Sequence, residues 1–231
     1  MVVMTAPTPS APPDAGDERR SARKRRAILQ AATTVFLRNG YLGTSMDDIA
    51  ALAAVSKQTV YKHFADKQSL FAEIVSATVN QIGDSVNAEV ASLRDSGDIA
   101  ADLRELARRQ LASVMQPQLL QLRRLVIGEA GRFPELGRLF YERGPRRTIA
   151  ALATAFEHLA DRGVLQLADP QLAAGHFNWL VMSIPLNQAM LCGDADPPGS
   201  ADLDRYADAG VRAFLAAYSQ GTAAGSDEGS G

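Results

Sequence analysis

Cysteine occurs once in 231 residues, at Cys192, tryptophan once and histidine three times, and no lysine follows Lys67. One cysteine makes no intramolecular bridge, so a disulfide-stapled fold is excluded. Eighteen glycines without a three-residue period exclude a collagen, and a net charge of -2 with 46% hydrophobic content excludes an acidic disordered chain. No run of eighteen apolar residues occurs, and the start has no basic segment followed by an apolar one. The expectation is therefore a cytoplasmic protein with neither export signal nor membrane span. Catalytic inventory is equally thin. His63, His158 and His176 are scattered, and G-x-S-x-G, Walker, C-x-x-C and H-E-x-x-H patterns are missing, so no enzyme, cofactor or metal is expected. Glu157, His158 and Asp161 share a helix turn, which reads as a solvated face.

The small total charge conceals an asymmetry. Residues 19–71 hold ten Lys or Arg against three Asp, a balance of +7, which leaves -9 for the remainder of a chain whose total is -2. Six of the eight residues from Arg19 to Arg26 are basic. A segment of this kind suits a polyanion, either nucleic acid or an anionic membrane surface.

Apolar residues at i, i+3, i+4, i+7 and i+8 recur, as in Ile28, Ala31, Ala32, Val35 and Phe36, whereas alternating β-branched runs do not occur. This predicts an all-α chain. Residues 1–17 and 221–231, rich in Pro, Ala, Ser, Thr or Gly, read as disordered tails. Helices are predicted over about 21–38, 46–53, 57–64, 66–93, 99–115, 117–131, 134–162, 169–192 and 201–220, about nine in all, with Gly144-Pro145 expected to kink or split the seventh. Ser45 and Asp48 have capping-box spacing, and Ser56 suits an N-cap.

Two short helices joined at Ala54-Val55-Ser56, preceded by a helix with an apolar face, form a helix-turn-helix unit, and the basic charge lies on it. With Val60 and Phe64 turned inward, the second short helix presents Lys57, Gln58, Thr59, Tyr61, Lys62 and His63 to solvent. Long donors and hydroxyls on such a helix suit phosphates and base edges in a major groove. A protein-contact role is disfavoured by that charge.

These residues resemble the tetracycline-repressor (TetR) family of bacterial one-component transcriptional regulators over roughly residues 26–74. The resemblance is carried by Ala31, Phe36, Gly40, Tyr41, Thr44, Ser45, Ile49, Ala50, Ala53, Val55, Ser56, Lys57, Thr59, Tyr61, Phe64, Lys67, Leu70 and Phe71. Gln58 departs from the glycine this family often has there, so operator sequence does not transfer. The resemblance implies phosphate contacts from Thr44, Tyr61, His63 and Lys67, and base contacts from Lys57, Gln58, Thr59 and Lys62. Ser45 and Ser56 are read as caps that can also touch phosphate. The Arg19–Arg26 cluster reads either as an arm into an adjacent groove or as a solvated helix start.

The expected organisation is a tail (1–17), a helix-turn-helix DNA-binding domain (18–66), a larger helical ligand-binding and dimerisation domain (67–220) and a second tail (221–231). By resemblance, the chain is a repressor that binds a palindromic DNA operator as a homodimer and is released by a small-molecule effector; the alternative is a non-specific or structural DNA-binding protein without effector. Phe177, Leu180, Val181 and Ile184 form one candidate dimer stripe, and Ala207, Val211, Phe214, Leu215 and Tyr218 another, with intrachain packing as the plain alternative. Candidate effector contacts are Met115, Phe133, His176, Asn178, Trp179 and Met182, against the alternative that these are ordinary core residues. Pro185 removes a helical hydrogen bond within the eighth helix, a kink that either opens space beside it or is a plain kink.

Overall fold

A computed structural model describes residues 15–193 and 198–219. Among these, the order is α1 (Ala15–Asn39), α2 (Met46–Leu52), α3 (Lys57–His63), α4 (Lys67–Ser92), α5 (Ile99–Val114), α6 (Pro117–Glu129), α7 (Pro134–Tyr141), α8 (Arg147–Asp161), α9 (Pro170–Cys192) and α10 (Ser200–Tyr218), with a 3-10 turn at Leu93–Asp95. The predicted all-α class holds. The expected tail at 221–231 and residues 1–14 of the first one lie outside the described residues, but α1 begins at Ala15, so residues 15–17, read from sequence as tail, are helical. Asp17 and Glu18 stand in its first turn, where the helix dipole favours acids.

Gly144-Pro145 neither breaks the helix nor leaves it regular. Glu142–Arg146 form a π turn that joins α7 to α8 without interruption, so ten α-helical segments make nine continuous rods among the described residues. Pro145 has no N–H to donate and its ring crowds the carbonyl four residues back, and widening the turn accommodates both. By contrast, α9 runs through Pro185 without a change of helix type.

The chain packs as two units divided between Ile74 and Val75, inside α4, eight residues beyond the boundary drawn from sequence at residue 66. In the first unit, Ile28, Phe36, Ile49, Val60, Leu70 and Phe71 are almost fully buried. The Phe36 and Phe71 rings lie 4.8 Å apart and Tyr41 closes the group at 5.2 Å from Phe71, offset and tilted as ring quadrupoles prefer.

In the second unit, α5, α8, α9 and α10 enclose a core centred on Phe156, Phe177 and Phe214, whose rings sit 5.0–5.7 Å apart. Gly210 lets α10 press onto α9: a Cβ there would stand 2.9 Å from the Leu180 carbonyl oxygen. Arg108 forks onto Asp208 at 3.0 and 2.8 Å and ties α5 to α10. Phe177, Val181, Ala207, Val211 and Phe214, offered above as dimer stripes, are therefore core of the same chain. Leu180 and Ile184 stay exposed.

Candidate nucleic-acid interface and internal cavity

The turn between α2 and α3 is built from backbone bonds. Val55 N–H donates to the Ala50 carbonyl at 3.1 Å and Ala54 N–H to that of Ala51 at 3.2 Å, with Ala54 at φ +52°: a Schellman stop in which alanine occupies the left-handed position usually given to glycine. The next residue, Ser56, caps α3 by accepting from Thr59 N–H at 3.1 Å. Ser45 and Asp48 form the expected capping box at the head of α2, with 3.1 and 3.3 Å bonds. Asp66 heads α4 in the same way, accepting from Ser69 N–H at 2.7 Å, and these bonds hold its carboxyl below the usual carboxylate range.

Val60 and Phe64 are buried as expected, which leaves Gln58, Thr59, Tyr61 and Lys62 lining one open face of α3. Tyr61 is 46% exposed. Lys57 is paired to Asp47 of α2 at 2.9 Å, and that bond lifts its ammonium above the ordinary lysine value. His63 is half-buried at the end of α3. Burial first, then the positive field of Arg25, Lys62 and Lys24, pushes its imidazole below the usual histidine range. Basic residues of α1 and α3 therefore share one electrostatic field. Arg25 itself pairs with Glu73 and lies over the Phe64 ring, while Arg19, Arg20, Arg23, Lys24 and Arg26 stay exposed along regular helix.

Two residues assigned above to phosphate serve the fold. Thr44 is 3% exposed and its hydroxyl donates to the Gly40 carbonyl at 2.7 Å. Lys67 donates to the carbonyls of Tyr41 and Thr44 at 2.8 and 2.9 Å and sits 4.6 Å over the Tyr41 ring. Its charge is spent on three internal partners.

The second unit contains a cavity with about 60 Å³ of water-accessible space, several times what one water requires. Of the six residues proposed from sequence, Asn178, Trp179 and Met182 line it. Met115 packs half-buried against the core, and Phe133 stands at the start of α7 beneath Arg132. His176 is exposed and bonds through Nδ1 to the Tyr218 hydroxyl at 2.6 Å. These last three do not line the cavity.

Sequence reasoning missed Gln110, Arg123, Phe140 and Thr148, all on its wall. A signal existed for the first two. Gln110 falls on the spacing of the buried face Leu103, Leu106, Ala107 and Leu111, and Arg123 sits four residues after buried Leu119 and three before buried Val126. Polar residues on an apolar face mark a place where the core is interrupted.

Comparison with known proteins agrees with this geometry. The profile described as "Bacterial regulatory proteins, tetR family" matches residues 28–74, and that described as "AefR-like transcriptional repressor, C-terminal domain" matches residues 101–220. The chain belongs to the TetR family. It is a TetR-family transcriptional regulator, and members of the family are typically repressors. It is 47% identical to a crystallised protein from Mesorhizobium loti MAFF303099 described as a TetR-family transcriptional regulator, over 87% of this chain and 99% of that one, with a TM-score of 0.82. A second solved structure, the flavonoid-responsive regulator FrrA, is 34% identical over 86% of this chain and 98% of that one, with a TM-score of 0.66. The DNA-binding transcriptional repressor TetR of Mycobacteroides abscessus is 39% identical over 77 residues, which is 33% of this chain and 37% of that protein. This chain thus matches only about a third of the length of such curated TetR-family relatives. No helix among the described residues of this TetR-family member is long and apolar enough to cross a membrane.

Proposed function

We propose that this TetR-family regulator represses by binding a short palindromic DNA operator as a homodimer, and that a small molecule entering the cavity of the second unit releases it. The observation that carries the reading is the exposed polar face of α3, Gln58, Thr59, Tyr61 and Lys62, held out by a buried Val60 and flanked by the cationic start of α1. Side chains of this kind divide labour: Tyr61 meets phosphate, and Gln58, Thr59 and Lys62 address base edges, with adenine the natural partner of Gln58.

A homodimer is supported by an apolar stripe on α9 that the chain leaves uncovered. Leu172, Leu180, Ile184 and Leu191 are 55, 44, 58 and 84% exposed, and α10 beside it exposes Ala209, Ala213 and Ala217, small enough for close helix approach. Two-fold symmetry would place two α3 helices in successive major grooves, with half-sites roughly 34 to 36 Å apart or a multiple of that.

Release requires a ligand that binds better to a conformation with misplaced α3 helices, and coupling of this kind is typically about 1 to 3 kcal/mol. The helix α4 suits the task, because it starts at Lys67 beside the turn that Lys67 braces and carries Val79, Ile82, Gly83 and Val86 into the cavity wall.

Selection of bound sequences from a random duplex pool by the purified protein, at two salt concentrations, tests the reading. A two-fold symmetric motif supports a dimeric, sequence-specific regulator. Binding without a motif that collapses with salt supports a non-specific DNA-binding protein instead.

A further inference from the structure

Arg123 is the one charged side chain among the described residues lining the cavity. Its guanidinium lies 5.1 Å over the Phe140 ring, its Nε is buried without a hydrogen-bond partner, and no carboxylate among the described residues acts on it. Burial alone pushes it below the ordinary arginine value, and it remains a cation at neutral pH. The neighbouring Arg124 is used differently, since it donates to the Ala189 carbonyl at 2.9 Å. Arg123 is half-buried, with its Nε out of water and no partner for it, and a cation partly withdrawn from water with no counter-charge is penalised. The Phe140 ring is the partner of this charge, and the Arg123 Nε donor is left over for a ligand.

A second orphan lies on the same wall. Gln110 is 3% exposed and spends its Nε2 on Asn178 Oδ1 at 3.1 Å, while its Oε1 is buried with no donor. The cavity thus offers an unpaired cationic donor and an unpaired neutral acceptor in a lining otherwise dominated by Val, Leu, Met and the Phe140 and Trp179 rings. Such a set discriminates strongly, because a ligand lacking the matching groups leaves both orphans unpaired.

We infer that the cavity, widened beyond the roughly 60 Å³ it has here, takes an apolar, ring-bearing organic anion, whose carboxylate or ionised phenol meets Arg123 and whose hydroxyl donates to Gln110. The inference rests on the effector reading above and names the chemical class of the effector. Arginine meets such an anion with parallel N–H donors, and a charge-assisted pair in a dry site is worth more than at the surface.

Calorimetric titration of the full chain with 4-hydroxycinnamate, cinnamate, 6-hydroxy-2-naphthoate and the methyl esters of the two hydroxy acids tests it. The hydroxy acids are expected to bind about tenfold or more tighter than their esters, and 4-hydroxycinnamate tighter than cinnamate. Arg123→Met should erase the preference for acid over ester and raise the Tm of the unliganded protein, since it removes a half-buried charge that has no carboxylate partner among the described residues. Arg123→Lys should keep part of the preference. Esters that bind as well as acids, an acid preference that survives Arg123→Met, or no binding of any probe overturns the inference. A duplex-release assay with the same probes separates this inference from the effector reading. Acids that bind with the stated preference and leave DNA bound defeat the effector reading alone, and esters that bind equally and release DNA defeat the anion site alone.

Discussion

The Lys67 ammonium lies 2.8 Å from the Tyr41 carbonyl oxygen and 4.6 Å above the Tyr41 ring, so one charge closes the loop between α1 and α2 from the head of α4. A hydrogen bond from a charged donor is worth about 1.5 to 3 kcal/mol, and here there are two, with a cation–π contact added. Lys67→Met is therefore expected to lower the stability of the protein by about 2 kcal/mol, read by urea denaturation. DNA affinity at a temperature where the variant is folded should change little. A variant of wild-type stability with a salt dependence of DNA binding reduced by one phosphate would return Lys67 to the phosphate role.

Gln58 and Tyr61 share the open face of α3, yet the chemistry of their tips differs. An amide presents a donor and an acceptor side by side and can match one base edge, whereas a phenol offers a single hydroxyl that suits phosphate. Gln58→Ala is expected to relax sequence preference at one or two positions, worth about 1 to 3 kcal/mol of discrimination there. Tyr61→Ala should weaken all duplexes alike. Selected-motif profiles of the two variants check this, and an unchanged profile for Gln58→Ala refutes the base-reading role.

Any DNA contact by Lys57 competes with Asp47, to which it is bonded at 2.9 Å. Both side chains are more than half exposed, so the pair contributes little to stability, but Asp47 competes with any phosphate or base for the same ammonium. Asp47→Asn is expected to tighten DNA binding several-fold at low salt with Tm nearly unchanged, as fluorescence anisotropy and thermal melting would show. Equal affinity in variant and wild type would mean that Lys57 stays with α2 in the complex.

The helix-turn-helix unit was readable because its signals are local: Ser45 with Asp48, Ser56 with Thr59, and Gly40 past the end of α1 each declare a boundary within four residues. Positions that depend on distant contacts were not. Nothing near Lys67 in sequence announces that the carbonyls of Tyr41 and Thr44 will claim it, and phosphate is an equally good partner on paper. The α9 stripe was legible only in part for a related reason, since Phe177 and Leu180 share a helical face by spacing, while the depth to which α10 sinks at Gly210 decides which of them remains outside. Ala54 at positive φ left no sequence signal, because alanine does not advertise a left-handed stop.

His63 is expected to couple DNA binding to pH. Its folded-state value lies below the ordinary 6.5 because burial and the field of Arg25, Lys62 and Lys24 favour the neutral ring. Unfolded chain therefore protonates first as pH falls below about 6.5, and the fold loses stability through that window. DNA phosphates act in the opposite direction, favouring the imidazolium, so the complex takes up a proton that the free protein lacks. Affinity is expected to rise as pH falls from about 7 toward the lowered folded value, then level off. Anisotropy at constant ionic strength measures this, and His63→Gln should flatten the profile. Identical slopes in variant and wild type would place His63 away from the phosphates.

Gly210 sets the spacing of α9 and α10. The nearest atoms to a Cβ at this position are the Leu180 carbonyl oxygen at 2.9 Å, its carbon at 3.0 Å and Val181 Cγ2 at 3.0 Å, and backbone atoms of a packed helix do not yield as a flexible side chain would. Gly210→Ala must push the helices apart and loosen the Phe177–Phe214 contact beneath, at a cost of about 1 to 3 kcal/mol, and this exceeds the gain of roughly 0.5 to 1 kcal/mol that alanine normally brings to a helix. Because Leu180 also belongs to the exposed α9 stripe, the displacement should weaken self-association along with stability. Denaturation and sedimentation of the variant read the two effects separately, and a variant more stable than wild type would show that the helices separate freely and that the close approach at Gly210 is not what sets their spacing.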